Sequence, residues 1–171
     1  MFQMSFNCTG CHACASICPK NCIQMQETEE GFLLPVIDTE KCIQCSRCEK
    51  VCPVLQTLKG DQHTLAFAVK SKNSADREIS TSGGVFPLLA EWTLNKGGII
   101  FGAAYDEDFA VRHVAVADRK MLCLLQGAKY TQSVIGTSFR EAEKELKSGR
   151  QVLFSGTPCQ CAGLKSYLGK E

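Results

Sequence analysis

Two copies of one cysteine pattern dominate the first third of the chain. Each copy has the form Cys-x-x-Cys-x-x-Cys-x-x-x-Cys-Pro, and the second copy follows the first at an offset of 34 residues. The first copy ends at Cys18-Pro19 and the second at Cys52-Pro53. Tight turns with such short gaps direct successive sulfurs towards a common centre, so this pattern constrains the fold of the region more than any other feature of the sequence does.

The spacing is typical of bacterial ferredoxins that carry two [4Fe-4S] clusters. In that arrangement three closely spaced thiolates hold one cluster, and the fourth cysteine, before the proline, binds the other cluster. The first predicted cluster takes Cys8, Cys11, Cys14 and Cys52. The second predicted cluster takes Cys42, Cys45, Cys48 and Cys18. Because the two ligand sets are interleaved, the two segments are expected to pack together.

Two other interpretations of the cysteines are weaker. Structural zinc takes four ligands and usually draws them as two pairs, whereas here a triplet and a distant fourth cysteine occur twice. A disulfide framework suits a short secreted chain, but residues 1–7 lack a basic region followed by an apolar stretch. Twelve cysteines without a secretion signal instead predict a reducing, cytoplasmic setting.

The composition is that of an ordinary globular protein. The 171 residues are 44% hydrophobic and 22% charged, which is compatible with one or two folded domains. A formal net charge of +1 gives no reason to expect a nucleic-acid partner. The most apolar run, residues 97–104, is too short for a transmembrane segment.

The sequence predicts an α+β protein with two domains. A bacterial-type 2[4Fe-4S] ferredoxin domain is expected over residues 1–60, with short strands at 23–26 and 32–37. A partial α/β domain is expected over residues 61–171, where strand and helix patterns alternate. Its predicted strands are 65–69, 98–104, 111–117 and Val152–Phe154, and its predicted helices are 85–94, Ser138–Lys147 and 160–168. Residues 70–76 are expected to form a loop, and Pro87 must lie in the first turn of its helix.

Two loops of the second region are candidates for chemistry. Ser82, Gly83 and Gly84 precede a helix, where unpaired N–H groups can bind a phosphate, although such a sequence is more often only a cap and turn. The second loop runs from a strand to a helix and contains Thr157 and Cys159. A thiolate at a helix N-terminus is stabilised by the dipole, so Cys159 is a candidate reactive residue, with a buried cysteine in a tight turn as the alternative. Cys22 and Cys123 are expected to be small buried side chains.

Four sequence blocks resemble the coenzyme F-420 hydrogenase/dehydrogenase beta-subunit family. They are the Thr-Ser-Gly-Gly-Val-Phe block from Thr81, the Gly-Gly-Ile-Ile-Phe-Gly-Ala-Ala-Tyr block from Gly97, the Lys-Tyr-Thr-Gln-Ser block from Lys129 and the Val-Leu-Phe-Ser-Gly-Thr-Pro-Cys-Gln block from Val152. The blocks occur in the family's order, and the duplicated cysteine pattern matches those members that carry their own clusters.

The resemblance implies an iron-sulfur flavoprotein oxidoreductase. FAD would exchange hydride with a two-electron carrier, such as coenzyme F-420, and single electrons with the two clusters. Ser82, Gly83 and Gly84 would lie near the phosphates of FAD. Lys129, Tyr130, Thr157 and Cys159 would lie towards the flavin ring or an adjacent redox centre, with Cys159 as the catalytic candidate.

Members of that family are longer, so the α/β domain is expected to be truncated. The chain would then be a truncated product, a fragment, or a split protein that a second chain completes, and a redox protein or a hydride carrier would be the reaction partner. The alternative from another functional class is a ferredoxin-like relay module that has no flavin of its own and docks to a partner subunit.

Overall fold

The computed structural model describes residues 7–56 and 65–169, which form two compact units. The cysteine-rich unit comprises the described residues 7–56, 135–140 and 156–169. The sheet unit comprises the described residues 65–134 and 141–155. The boundary predicted at residue 60 lies outside the described residues. No helix in the described ranges is long and apolar enough to cross a membrane.

The N-terminal part of the cysteine-rich unit contains two short helices and one hairpin. Helix α1 spans Ala13–Ile17 and helix α2 spans Arg47–Val51. Strand β1, Ile23–Glu27, pairs antiparallel with strand β2, Leu33–Ile37. Gly31 in the connecting turn has a φ of +84°, a conformation that glycine adopts without a Cβ penalty. The two predicted strands of this region are confirmed.

The sheet unit is built on a three-stranded mixed sheet. Its central strand β3, Ile99–Tyr105, pairs antiparallel with β4, Val111–Val116, and parallel with β5, Val152–Phe154. Helix α4, Val85–Asn95, and a 3-10 helix, Arg119–Leu125, pack on this sheet. Their shared core consists of Ala90, Ile100, Ala104, Val116, Leu122 and Leu125. Pro87 is buried in the first turn of α4, as predicted.

Two predictions for the start of the sheet unit are wrong. Residues 65–69 form no strand, and the apolar side chains of Leu65, Phe67 and Val69 are 78%, 79% and 60% exposed. Their alternation therefore does not mark a buried sheet face. Residues 74–78 form helix α3, Ser74–Glu78, within a segment expected to begin as a loop. The Asn73 side chain caps this helix by accepting a hydrogen bond from the Ala75 N–H at 3.0 Å.

The C-terminal helix belongs to a different unit from the one predicted. Helix α5 spans Ser138–Lys147, as expected, and helix α6 spans Pro158–Leu168. Residues 61–171 were predicted as one domain, but α6 packs against α1 and α2 within the cysteine-rich unit. The close contact is made at Gly163, where an added Cβ would lie 3.1 Å from the Sγ of Cys11. Only a residue without a side chain fits such an approach without displacing the sulfur.

Candidate iron-sulfur centres

The two cysteine motifs have the same local backbone conformation. In the first motif Gly10 and His12 have φ values of +62° and +65°, and in the second Gln44 and Ser46 have φ values of +53° and +55°. Left-handed residues at these positions turn nearby N–H groups towards the space that the cysteines enclose, a geometry that favours a negatively charged group. His12 and Ser46 directly precede α1 and α2.

The last cysteine of each motif also has the same geometry. Cys18 has φ −66° and ψ 115°, and Cys52 has φ −72° and ψ 115°. Each precedes a proline, which disfavours the helical conformation for the residue before it. Each helix therefore ends at its cysteine, and the chain leaves in an extended direction.

The first predicted ligand set lines one narrow cavity, which we call site A. The cavity is lined by Cys8, Cys11, Cys14 and Cys52, together with Thr9, His12, Ala13, Met25, Pro35 and Val54. Cys11 and Cys14 are buried, each with 8% of its surface exposed. Three of the sulfurs come from the first motif and the fourth comes from the second, as the cross-ligated pattern requires.

The second predicted ligand set lines a larger cavity of about 540 Å³, which we call site B. Its cysteines are Cys18, Cys42, Cys45 and Cys48, and Cys22 also lines it. Cys45 is exposed, whereas Cys42 and Cys48 are partly buried and Cys18 is buried. Three sulfurs again come from one motif and the fourth from the other. Each cavity therefore supplies the four thiols that a [4Fe-4S] cluster needs, so the chemistry and grouping of the residues fit two such clusters.

Burial opposes ionisation of the thiols at site A. It raises the pKa of Cys14 to about 12, with a further contribution from Cys11, and it raises the pKa of Cys11 as well. Iron binds the thiolate, so the charge of the metal must compensate for the cost of ionising these buried sulfurs. Cluster binding and folding of this unit are therefore expected to be coupled.

A hydrogen bond between two cysteines distinguishes site B. The Sγ atoms of Cys18 and Cys22 lie 3.4 Å apart. This contact and burial raise the pKa of Cys22 to about 11, which keeps it a thiol. Burial also acts to raise the pKa of Cys18, but backbone N–H groups of Cys22, Lys20 and Asn21, together with the Cys22 thiol, lower it overall. Cys22 is buried, as predicted, and its Sγ lies within hydrogen-bond distance of Cys18, a predicted ligand.

Cys123 does not have the buried position predicted for it. It lies in the 3-10 helix with its side chain exposed, and its Sγ is 3.5 Å from the carbonyl oxygen of Lys120. Its neighbours Leu122 and Leu125 are the residues that enter the core of the sheet unit. The local apolar sequence did not reveal which side of this turn faces inward.

Thr157 and Cys159 lie close to site A, within the cysteine-rich unit. Thr157 precedes α6, and its N–H donates to Oε1 of Gln160 at 3.0 Å. The Sγ of Cys159 lies 3.1 Å from the Thr157 hydroxyl and 4.0 Å from the carbonyl oxygen of Thr9, which is next in sequence to the predicted ligand Cys8. The loop that was singled out for its chemistry thus lies beside a predicted cluster site.

The other predicted flavin-binding residues lie in the sheet unit, on two loops that touch. The Thr81 hydroxyl accepts a hydrogen bond from the Ala128 N–H at 2.7 Å, which brings residues 82–84 near Lys129 and Tyr130. An added Cβ at Gly83 would lie 2.3 Å from the Val69 carbonyl oxygen, so the backbone of this loop requires glycine there. Gly84 has φ +72° and precedes α4.

The Lys129 ammonium group already has protein partners. Its Nζ donates to the carbonyl oxygens of Leu124 and Gln126 at 3.0 and 2.7 Å. Burial lowers the pKa of Lys129. Tyr130, by contrast, is 90% exposed.

Comparisons with known proteins agree with the two cysteine sites. Two family models, each described as a 4Fe-4S dicluster domain, match residues 7–55 and 34–86. An F(420)H(2) dehydrogenase subunit of Methanosarcina mazei is 25% identical over 90% of this chain and 46% of its own length. An uncharacterized polyferredoxin-like protein of Methanocaldococcus jannaschii is 36% identical over 28% of this chain and 33% of its own length.

The chain spans less than half the length of either curated relative. Both dicluster matches include the second cysteine motif, and the match to residues 7–55 includes both motifs. Together with the long alignment to the dehydrogenase subunit, these matches show that the chain is similar to an F(420)H(2) dehydrogenase subunit and carries 4Fe-4S dicluster sequences.

Proposed function

We propose that the chain passes electrons one at a time between a [4Fe-4S] cluster at site A and a second at site B. The observation that carries this proposal is that each cavity brings together four motif cysteines, three from one motif and one from the other, with Cys22 as a fifth cysteine at site B. Shared ligation would put the two clusters next to each other along the segment from Cys14 to Cys18. Each cluster cycles one electron, so adjacent clusters form a short relay.

The unequal burial of the two sites gives the relay a preferred direction. Reduction adds a negative charge to a cluster, and a buried, less polar environment disfavours that charge. Site A, with Cys11 and Cys14 buried, therefore has the lower reduction potential. Site B, where Cys45 is exposed, has the higher potential and the surface through which a partner protein is reached. Electrons then move from site A to site B.

We further propose that the electrons enter from FAD next to site A. A hydride carrier gives two electrons, and a flavin converts them into single-electron steps that suit clusters. Thr157 and Cys159 lie beside site A, at the low-potential end of the relay. The FAD contacts expected in the sheet unit are Ser82, Gly83, Gly84, Lys129 and Tyr130. The dehydrogenase named among the relatives acts on reduced coenzyme F420, which makes that carrier the first electron donor to test.

A relay without its own flavin is the competing function. The Lys129 ammonium group is engaged with two backbone carbonyls, so in this conformation it does not present all its donors to a cofactor. The chain also spans only 46% of the dehydrogenase subunit that it matches. On this alternative a partner subunit carries the flavin, and the present chain carries only the two clusters.

Anaerobic purification followed by iron, sulfide and flavin analysis tests both proposals. The cluster proposal predicts about eight irons and about eight sulfides per chain, and a value near four or below contradicts it. One FAD per chain supports the flavoprotein, whereas full iron with no FAD supports the relay. If FAD is present, Lys129→Met is expected to lower its content, and Lys144→Met, at an exposed lysine of the same unit, is the matched control.

A further inference from the structure

Arg140 contacts the segment that joins the two cysteine sites. It lies in the first turn of α5 and belongs to the cysteine-rich unit. Its Nε donates to the carbonyl oxygen of Ser16 at 2.8 Å, and its Nη2 donates to Oδ1 of Asn21 at 2.7 Å. Nη2 also lies 3.2 Å from the carbonyl oxygen of Ala15 and 3.4 Å from that of Cys18. One guanidinium thus binds four oxygens within seven residues.

The three carbonyl oxygens lie at the end of α1, on the segment that runs from a predicted ligand of site A to a predicted ligand of site B. Cys14, a site A ligand, lies in α1, and Cys18, a site B ligand, follows its last residue. The last carbonyls of a helix have no partner within the helix, and Arg140 satisfies three carbonyls in this segment. Arginine holds several acceptors at once because its donors form a rigid planar fork.

The second motif has no comparable cation in the described residues. The position equivalent to Ala15 is Glu49, whose carbonyl oxygen accepts from the neutral amide Nε2 of Gln56 at 3.4 Å. The two motifs therefore have the same backbone but different partners at the end of their helices. A guanidinium holds the carbonyls at one helix end, whereas at the other the last turn carries the Lys50 ammonium and a neutral amide binds the Glu49 carbonyl.

We propose that Arg140 is a positioning residue that fixes the Cys14–Cys18 link and raises the reduction potentials of the clusters it joins. This inference rests on the proposed function, because it requires clusters at sites A and B. A fixed positive charge favours the reduced state, which carries one more negative charge than the oxidised state. The Arg140 side chain is exposed overall, so solvent and salt screen part of this effect.

The experiment is a potentiometric titration of the anaerobically purified chain, followed by electron paramagnetic resonance, after iron content has been measured. Arg140→Gln is expected to make reduction of at least one cluster about tenfold less favourable, which corresponds to about 59 mV towards negative potential for a one-electron couple. Arg140→Lys keeps the positive charge but loses the planar arrangement of donors. The reduction potentials of this variant should therefore lie close to those of the wild-type chain. Arg150→Gln is the matched control, because Arg150 donates to the carbonyls of Gly97 and Gly98 at 2.8 and 3.1 Å in the sheet unit.

Asn21→Gly tests whether the positive charge of Arg140, and not its hydrogen bond to the Asn21 side chain, sets the reduction potentials. It removes one acceptor, and glycine tolerates the φ of +48° found at Asn21. The potentials should stay at the wild-type values in this variant. Full iron with unchanged potentials in Arg140→Gln overturns the inference, as does an equal shift in Arg150→Gln. Loss of iron in Arg140→Gln but not in Arg140→Lys supports it, and wild-type chain with few irons contradicts the cluster proposal itself.

Discussion

Site A and site B are made by copies of one sequence motif, but their surroundings differ. The left-handed residues and the extended final cysteine occur at equivalent positions in both copies. Cys11 is 8% exposed at site A, whereas its equivalent, Cys45, is exposed at site B. The repeated sequence sets the local geometry of a cluster site, and the packing of the rest of the unit sets its environment.

The difference in burial has an identifiable source on the side of site A. Helix α6 packs against α1, and Gly163 allows it to approach Cys11 and Ala13 closely. Site B is the larger of the two cavities, and its lining includes Ile43, which is 56% exposed. Low polarity around one cluster and solvent around the other should separate the properties of two otherwise similar centres.

The largest expected effect comes from replacing equivalent ligands at the two sites. Cys45→Ser should lower the iron content from about eight to about four per chain and leave the site A cluster in place. Cys11→Ser should also remove one cluster, and it should cost roughly 1–3 kcal/mol more in unfolding free energy, because it puts a hydroxyl at a buried position. Iron analysis and denaturant unfolding measure the two effects. Equal losses of stability in the two variants would contradict the contrast in burial.

The grouping of the eight motif cysteines around two cavities could be predicted from their spacing. The triplet, the distant fourth cysteine and the following proline encode a cross-ligated pair, and the cavities bring together those same two sets. Strands such as Val152–Phe154 and helix Ser138–Lys147 were likewise predictable from their local patterns. Contacts between distant segments could not be predicted from local patterns. The contact of Arg140 with Ser16, for example, joins residues 124 positions apart.

The errors have the same physical origin. Residues 65–69 alternate like a strand, but they belong to neither sheet of the described residues. Cys123 has apolar neighbours on both sides, although only those that point inward in the 3-10 helix are buried. Helix α6 was assigned to the second domain because it follows that domain in sequence. No local signal at Gly163 indicates that its partner is Cys11.

Exposure to reagents should distinguish the two clusters next. An iron chelator or a mild oxidant is expected to remove iron from site B several-fold faster than from site A, since Cys45 is accessible to solvent. The decay of visible absorbance should therefore have two phases. In Cys45→Ser only the slow phase should remain, and in Cys11→Ser only the fast one. A single phase in the wild-type chain would argue against unequal exposure.

A smaller effect is expected from crowding α6 against site A. In Gly163→Ala the new methyl group would lie 3.1 Å from the Cys11 sulfur, so the helix or the ligand must shift. The expected cost is about 1–3 kcal/mol in unfolding free energy, with altered spectroscopic signals for site A alone. Lys165→Ala, at an exposed position of the same helix, provides the control. A change confined to site B would show that α6 does not act through Cys11.

The smallest effect should follow removal of the extra thiol at site B. Cys22→Ala deletes the hydrogen bond to the Cys18 sulfur, and the equivalent residue in the second motif is Gln56, not a cysteine. The site B potential should fall by less than 59 mV, that is, by less than a tenfold change in the reduction equilibrium. Iron content should stay unchanged. A loss of iron would mean that Cys22 is a ligand.

Two chemically alike clusters in unequal environments should differ in reduction potential. Potentiometric titration of the wild-type chain, followed by electron paramagnetic resonance, measures this difference. We expect two one-electron steps at separate potentials, with the lower step retained in Cys45→Ser, which keeps site A, and the higher step retained in Cys11→Ser, which keeps site B. Two clusters reduced at one common potential, or the reverse assignment in these variants, would contradict this expectation.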